Sequence, residues 1–291
     1  MAGKKGSKGR FSIGLAAAAL VIVAVLAFLL VNSGWYGGKP ANEALPPTQA
    51  LPPAQALPQV EATAPEHAAG ARLAIVIDDM GADIKKLHEL LQIDGPMTVS
   101  VLPHLRYTAQ VANEAHSRKD WEVLLHLPME PKDTAVNDPG KGALFTTMSA
   151  GEIRRIVEDD LKDVPYADGA NNHMGSKFTE NAGLMKVVLG VMKKKNIFFL
   201  DSRTSSSSVG GKVAKELGVR EAGRNVFLDN TRDTAYIKGQ LAQAAAIARK
   251  KGSAVAIGHP YPETIAALRQ SVPELKNGGI EFVKLSDIVE K

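Results

Sequence analysis

No cysteine occurs anywhere in this chain, which removes disulfides, thiolate metal ligands and lipidated cysteine from consideration. Aromatic residues are scarce, at 5% of 291 positions, and no basic stripe interleaved with aromatics occurs, so a nucleic-acid partner is not expected. Neither a G-x-S-x-G elbow nor a phosphate-binding glycine loop is present. The run Ser205–Ser208 follows a strand-like segment and reads as loop rather than as a set of nucleophiles. The formal net charge of +4 is partly local, because Lys4, Lys5, Lys8 and Arg10 sit together at one end.

That basic tail, residues 1–10, precedes a nearly unbroken apolar run from Phe11 to Val31. A helix of about 20 apolar residues spans a bilayer, so residues 11–32 read as a single-pass signal anchor in the inner (cytoplasmic) membrane. The basic flank stays cytoplasmic, which sends the rest of the chain to the periplasm or extracytoplasmic space. Trp35 and Tyr36 follow at interfacial depth. A cleaved signal peptide is the alternative, disfavoured because its apolar region usually covers only about 7–15 residues. Residues 33–70 carry A-L-P-P-T-Q-A-L-P-P-A-Q-A-L-P, almost a short repeat. Proline at that density keeps a chain extended and solvated, as suits a tether.

From residue 71 to 291 the pattern changes to strand-like and helix-like segments in alternation. Leu73–Ile77 (L-A-I-V-I) is apolar without alternation, the signature of a strand buried on both faces. Further strands are expected at Met97–Leu102, Trp121–Leu125, Ile197–Leu200, Asn225–Leu228, Ala254–Ile257 and Glu281–Leu285. Asp83 is placed to cap a helix, Ser149 with Glu152 forms a capping-box pattern, and Thr234–Lys251 is an alanine-rich helix stopped by Gly252. Gly169–Thr179 is polar and glycine-punctuated and reads as a strand end or loop, and Pro128 and Pro131 are expected to stop any strand after His126. Repeated β-then-α order predicts an α/β fold: a distorted or incomplete (β/α) barrel of about seven parallel strands, with an open sheet as the alternative.

Polar residues follow the apolar runs at Asp78 and Asp79, His104, His126, Asp201, Asp229 and His259, with His173 in the glycine-punctuated stretch. In parallel folds such positions converge on one rim. Mixed His and Asp sets suit Zn²⁺ or a similar divalent ion. Such an ion polarises a carbonyl oxygen and lowers the pKa of bound water, which is equipment for hydrolysing an amide or ester, and equally a phosphoester or peptide. Asp78 and Asp79 point to opposite sides of an extended strand, so a bend, expected at Gly81, is needed to bring both into one site. Helix capping is the plainer role for either aspartate, and a structural role is the plainer one for His104.

The motifs I-D-D-M-G at 77–81, H-L-P-M-E-P at 126–131, N-N-H-M-G-S at 171–176, F-F-L-D-S-R-T at 198–204, V-F-L-D-N at 226–230 and I-G-H-P-Y-P-E-T at 257–264 occur in an order that resembles the divergent polysaccharide deacetylase family. The resemblance covers nearly all of residues 71–291. It implies a distorted (β/α) barrel, a divalent metal with zinc as first choice, and a polysaccharide substrate. It further implies Asp78 as base, Asp79 as metal ligand and His259 as acid, with Arg203 and Asp201 orienting the base and the acid. Related deacetylases draw two more ligands from a His-x-x-x-His motif, whereas here His126 stands alone with Glu130 four residues on. His173 is therefore assigned as third ligand beside His126, with His104 and Glu130 behind it. The expected activity is removal of acetyl groups from N-acetylated envelope or extracellular glycan. A glycan-binding or envelope-assembly protein that keeps the barrel without turnover is the alternative.

Overall fold

The computed structural model describes residues 70–290. The basic tail, the expected membrane anchor at residues 11–32 and all of the expected linker except Gly70 lie outside the described residues. Among those described, no helix is long and apolar enough to cross a membrane.

Strand β1 (Arg72–Met80) runs through the apolar stretch and ends on the two aspartates. It is followed by α1 (Ile84–Leu90), β2 (Met97–Val101), α2 (Thr108–His116), β3 (Trp121–Met129), α3 (Ala150–Asp163), β4 (Ala167–Met174) and α4 (Ala182–Lys194). The second half comprises β5 (Phe198–Asp201), α5 (Gly210–Leu217), β6 (Glu221–Gly223), β7 (Val226–Phe227), α6 (Thr234–Lys251), β8 (Ser253–Gly258), α7 (Pro262–Asn277) and β9 (Glu281–Val283). Every strand pairing is parallel, in the order β6-β5-β4-β3-β2-β1-β8-β7. The sheet curls into a half-barrel and stays open between β6 and β7. β9 pairs with the first residues of β1, on the edge that β2 takes over from Val76 onward.

Among the described residues nine strands replace the expected seven or so, and the surplus consists of short pieces that apolar runs do not announce. β6, β7 and β9 have only two or three residues each. β4 is the larger correction, because Gly169–Thr179 was expected as a strand end or loop. It pairs along its length with β3 and along part of it with β5. Its inward positions are Gly169, Asn171 and His173, so it lacks the hydrophobic period by which strands are recognised. β3 also runs through Pro128 to Met129. β2 stops opposite Leu125, so no neighbouring strand on that side needs an N–H from Pro128, and Leu144 N instead donates to the Pro128 carbonyl at 2.9 Å.

Strand periodicity divides the apolar residues into two cores. Leu73, Ile75 and Ile77 of β1, Val123 and Leu125 of β3, and Ala254 and Ala256 of β8 pack outward beneath the helices. Ala74, Val76, Leu124, Phe198, Leu200, Val255 and Ile257 fill the concave side, where Leu285 and Ile288 from the end of the chain complete the packing. Buried Glu122 receives the Ser286 N–H at 3.1 Å there and anchors that terminal segment.

The helices keep their expected signals. Asp83 accepts from Lys85 N at 2.9 Å, Ser149 and Glu152 form both arms of the capping box, and Gly252 adopts the left-handed C-cap of α6. Together these elements hold the carboxyl ends of the strands at a common rim.

Candidate metal centre

The inward columns change character at the rim. On β1, Ala74 and Val76 give way to Asp78; on β3, Leu124 gives way to His126; on β8, Val255 and Ile257 give way to His259. Ser100 of β2, Asn171 and His173 of β4, and Ser202 just beyond β5 occupy the same side. Each apolar column thus ends in a hydrogen-bonding or ionisable group.

Asp79 is out of phase with these residues and reaches the site by a backbone bend. Its φ is 57°, the left-handed region, and the β1–β2 register shifts between Ile77 and Met80. Aspartate tolerates that conformation better than most residues. The bend expected at Gly81 is therefore made at Asp79 itself.

Asp79 Oδ1 lies 3.2 Å from His126 Nε2 and 2.9 Å from His173 Nδ1, and the two nitrogens are 3.1 Å apart. These are the three candidate ligand atoms that cluster among the described residues. Asp79 Oδ1 is buried and receives no well-directed hydrogen bond despite its neighbours. Zn²⁺ held tetrahedrally at about 2.0–2.1 Å spaces its ligands roughly 3.3 Å apart, close to the separations here. One carboxylate and two imidazoles, with an orphaned carboxylate oxygen between them, fit a divalent metal.

Asp78 approaches the same nitrogen of His126, with Oδ2 3.6 Å from Nε2. Asn171 Nδ2 donates to Asp78 Oδ1 at 2.9 Å. Across the centre, His259 Nε2 is 3.6 Å from Asp79 Oδ2, and its Nδ1 is 3.0 Å from Asp229 Oδ1.

Electrostatics separates the two aspartates. Burial pushes the Asp78 carboxyl up, against the opposing pull of His126, His259 and Asn171. Burial also acts on Asp79, but the close approach of His126 and His173 outweighs it and holds that carboxyl well below the usual range. Burial would depress His126, yet the charges of Asp78 and Asp79 push it up to about 9. His259 is raised too: burial works against its charge, and Asp229 followed by Asp79 overcomes that effect.

Four expected positions lie elsewhere. Asp201 faces the helices, because Phe198 and Leu200 take the inward positions of β5; its carboxylate accepts from Arg203 N at 2.8 Å and Ser208 Oγ at 2.8 Å. Arg203 has φ 50° and turns its guanidinium over Gly223, donating to the Arg224 carbonyl at 3.3 Å. Neither residue is brought to Asp78 or His259, so their expected orienting roles are corrected. His104 lies in the turn after β2 and meets α3, with Nε2 2.7 Å from Asp160 Oδ1. Glu130 joins two loops, through Lys177 Nζ at 2.6 Å and the Thr146 N–H at 2.6 Å. Of the third-ligand candidates, only His173 reaches the centre.

Asp229 and Asn171 are the residues that the sequence reading left without a role. Asp229 was visible as the polar end of V-F-L-D-N. Asn171 carried no ionisable group to draw attention to it.

The sequence profile of the divergent polysaccharide deacetylase family matches residues 75–289. A protein of Escherichia coli called YibQ, described as uncharacterized, is 39% identical over 76% of this chain and 68% of its own length. An uncharacterized protein of Haemophilus influenzae is 39% identical over 71% of this chain and 73% of its own. The crystal structure of an uncharacterized protein from Agrobacterium tumefaciens superposes with a TM-score of 0.72 and 25% identity, covering 76% of this chain and 90% of that one. With the profile spanning the strands that build the rim, the chain belongs to the divergent polysaccharide deacetylase family.

Proposed function

We propose that this protein is a metal-dependent deacetylase acting on N-acetylated envelope or extracellular polysaccharide. In this reading residues 11–32 hold it in the inner membrane, and residues 33–70 carry the domain into the periplasm. The observation that carries the chemistry is the convergence of Asp79, His126 and His173, with Asp78 and the Asp229–His259 pair beside them. A charge-balanced set of this kind, with one carboxylate pushed up and its neighbour held down, is a pattern found at acid–base sites.

Asp79, His126 and His173 would hold the ion. When bound, a divalent metal there polarises the acetyl carbonyl and lowers the pKa of water at the site. Asp78 is the group that receives the proton from the attacking water. Its burial favours the neutral form, which gives a carboxylate the basicity that this task needs. His259 gives a proton to the departing amine from Nε2, while Asp229 keeps Nδ1 engaged and supports the charged ring. The products are acetate and a free amine on the sugar.

Acetate release from N-acetylglucosamine oligomers by purified full-length protein, with and without added Zn²⁺, tests the proposal. Metal-dependent release that is lost in Asp78→Asn and Asp79→Ala is the expected result. Glycan affinity without acetate release, unchanged by Asp78→Asn, favours a binding protein on the same barrel.

A further inference from the structure

Beneath the centre, the side chain of Asn171 is fully buried and uses its whole hydrogen-bonding capacity. Its Nδ2 donates to Asp78 Oδ1 at 2.9 Å and to Ser202 Oγ at 3.1 Å. Its Oδ1 faces His126 Nδ1 at 2.9 Å and also accepts from Ser100 Oγ. An amide offers two N–H bonds and two lone pairs, and here all four are taken by four different strand ends.

The arrangement is directional. Asp78 as carboxylate can only accept, so the amide nitrogen must face it, and the amide oxygen must then face His126. That oxygen can only accept, so the proton of the neutral imidazole is fixed on Nδ1. The lone pair consequently lies on Nε2, the atom 3.2 Å from Asp79 Oδ1 and 3.1 Å from His173 Nδ1. Partners of this kind set the tautomer and ring plane of a metal-binding histidine.

We propose that Asn171 is the positioning residue joining the two halves of the centre. It selects Nε2 of His126 as the ligand atom, and with the same amide it aims the Asp78 carboxylate at the point that the ligands face. Ser100 and Ser202 hold the amide in plane, so rotation would break four hydrogen bonds at once. The role rests on the metal-dependent reading above.

The test is Zn²⁺ affinity of the full-length protein, measured by chelator competition, in wild type, Asn171→Leu and Asn171→Asp. Leucine keeps the branched outline of asparagine with bulkier methyl ends and accepts nothing, so affinity should fall roughly 10- to 100-fold, as for other lost partners of a ligating histidine. Aspartate keeps an acceptor for His126 but puts a carboxylate against Asp78. Asn171→Asp should therefore stay within about threefold of wild-type affinity while losing most acetate release. A residue that only maintained the fold would weaken metal binding in both variants alike. Unchanged affinity in Asn171→Leu, or equal loss in Asn171→Leu and Asn171→Asp, overturns the proposal. Wild-type protein that binds Zn²⁺ yet releases no acetate overturns the deacetylase reading and leaves the affinity pattern to decide Asn171. A wild type that takes up no Zn²⁺ overturns both.

Discussion

Asp229 grips His259 at two points: Oδ1 lies 3.0 Å from the ring Nδ1, and Oδ2 accepts the backbone N–H of the same residue at 2.6 Å. Thr264 donates to that second oxygen at 2.8 Å and stops the carboxylate from rotating. The ring is thereby fixed with Nε2 toward Asp79. Asp229→Asn keeps the shape and weakens support for the charged imidazole. Turnover should fall about 100-fold with little change in KM, whereas His259→Ala should remove the full contribution of a general acid, about 10²- to 10⁴-fold. Steady-state acetate release measures both, and an Asp229→Asn variant with wild-type kcat contradicts the assignment.

Loading the centre should release a proton. In the metal-free protein, His126 is pushed up to about 9 despite burial, because Asp78 and Asp79 favour its charged form. At pH 7.5 an incoming ion must displace that proton, so calorimetry in buffers of different ionisation enthalpy should report about one proton released per metal. The same shift stabilises the metal-free fold. A histidine raised above its ordinary value contributes fully below about pH 6.5 and loses that contribution as pH climbs through about 9. The difference in thermal midpoint between wild type and His126→Gln should shrink over that interval.

Asp160 offers a second pH-dependent reading, away from the centre. Burial pushes its carboxyl up to about 7, partly offset by His104, and its Oδ2 has no hydrogen-bond donor. An acid whose folded pKa exceeds its unfolded one favours folding when protonated, so this site weakens the protein as pH rises from about 4 toward 7. Asp160→Asn should match wild type near pH 4 and unfold at higher temperature at pH 8. Equal midpoints at both pH values refute this.

Gly169 sets the interior packing of β4. A Cβ at this position would run into the Phe198 ring, and the two residues are register partners. Phe198 is fully buried in the concave core. Gly169→Ala should cost about 1–3 kcal/mol of stability through overpacking, read by urea unfolding. Adding Phe198→Leu should recover part of that loss.

Much of the rim was legible wherever an apolar run ended on a charged residue. Leu73–Ile77 announced β1, and Asp78, His126 and His259 fell on its inward side or on the equivalent side of another strand of the sheet. Asp79 was not placeable in this way, because its position depends on a φ of 57° that no periodicity encodes. β4 escaped because its inward column is glycine, asparagine and histidine, chosen for the site rather than for the core. Asp201 misled for the converse reason. It ends an apolar run as the others do, but one residue out of phase, and parity alone sends it to the helices. The pairing of Asp229 with His259 joins residues 30 positions apart, a relation that emerges only once β7 and β8 lie side by side.

The partners of β1 also fix when the fold can be completed during synthesis. Arg72–Ala74 bond only to β8 and β9, since β2 joins at Val76. Those two strands are the last of the described strands to be made. Until residue 283 has left the ribosome, the opening strand keeps an unsatisfied edge and the concave core lacks its terminal seal. An emerging chain therefore presents the apolar run of this strand as a bare template for association, and truncation before β8 should yield aggregate rather than a smaller folded domain.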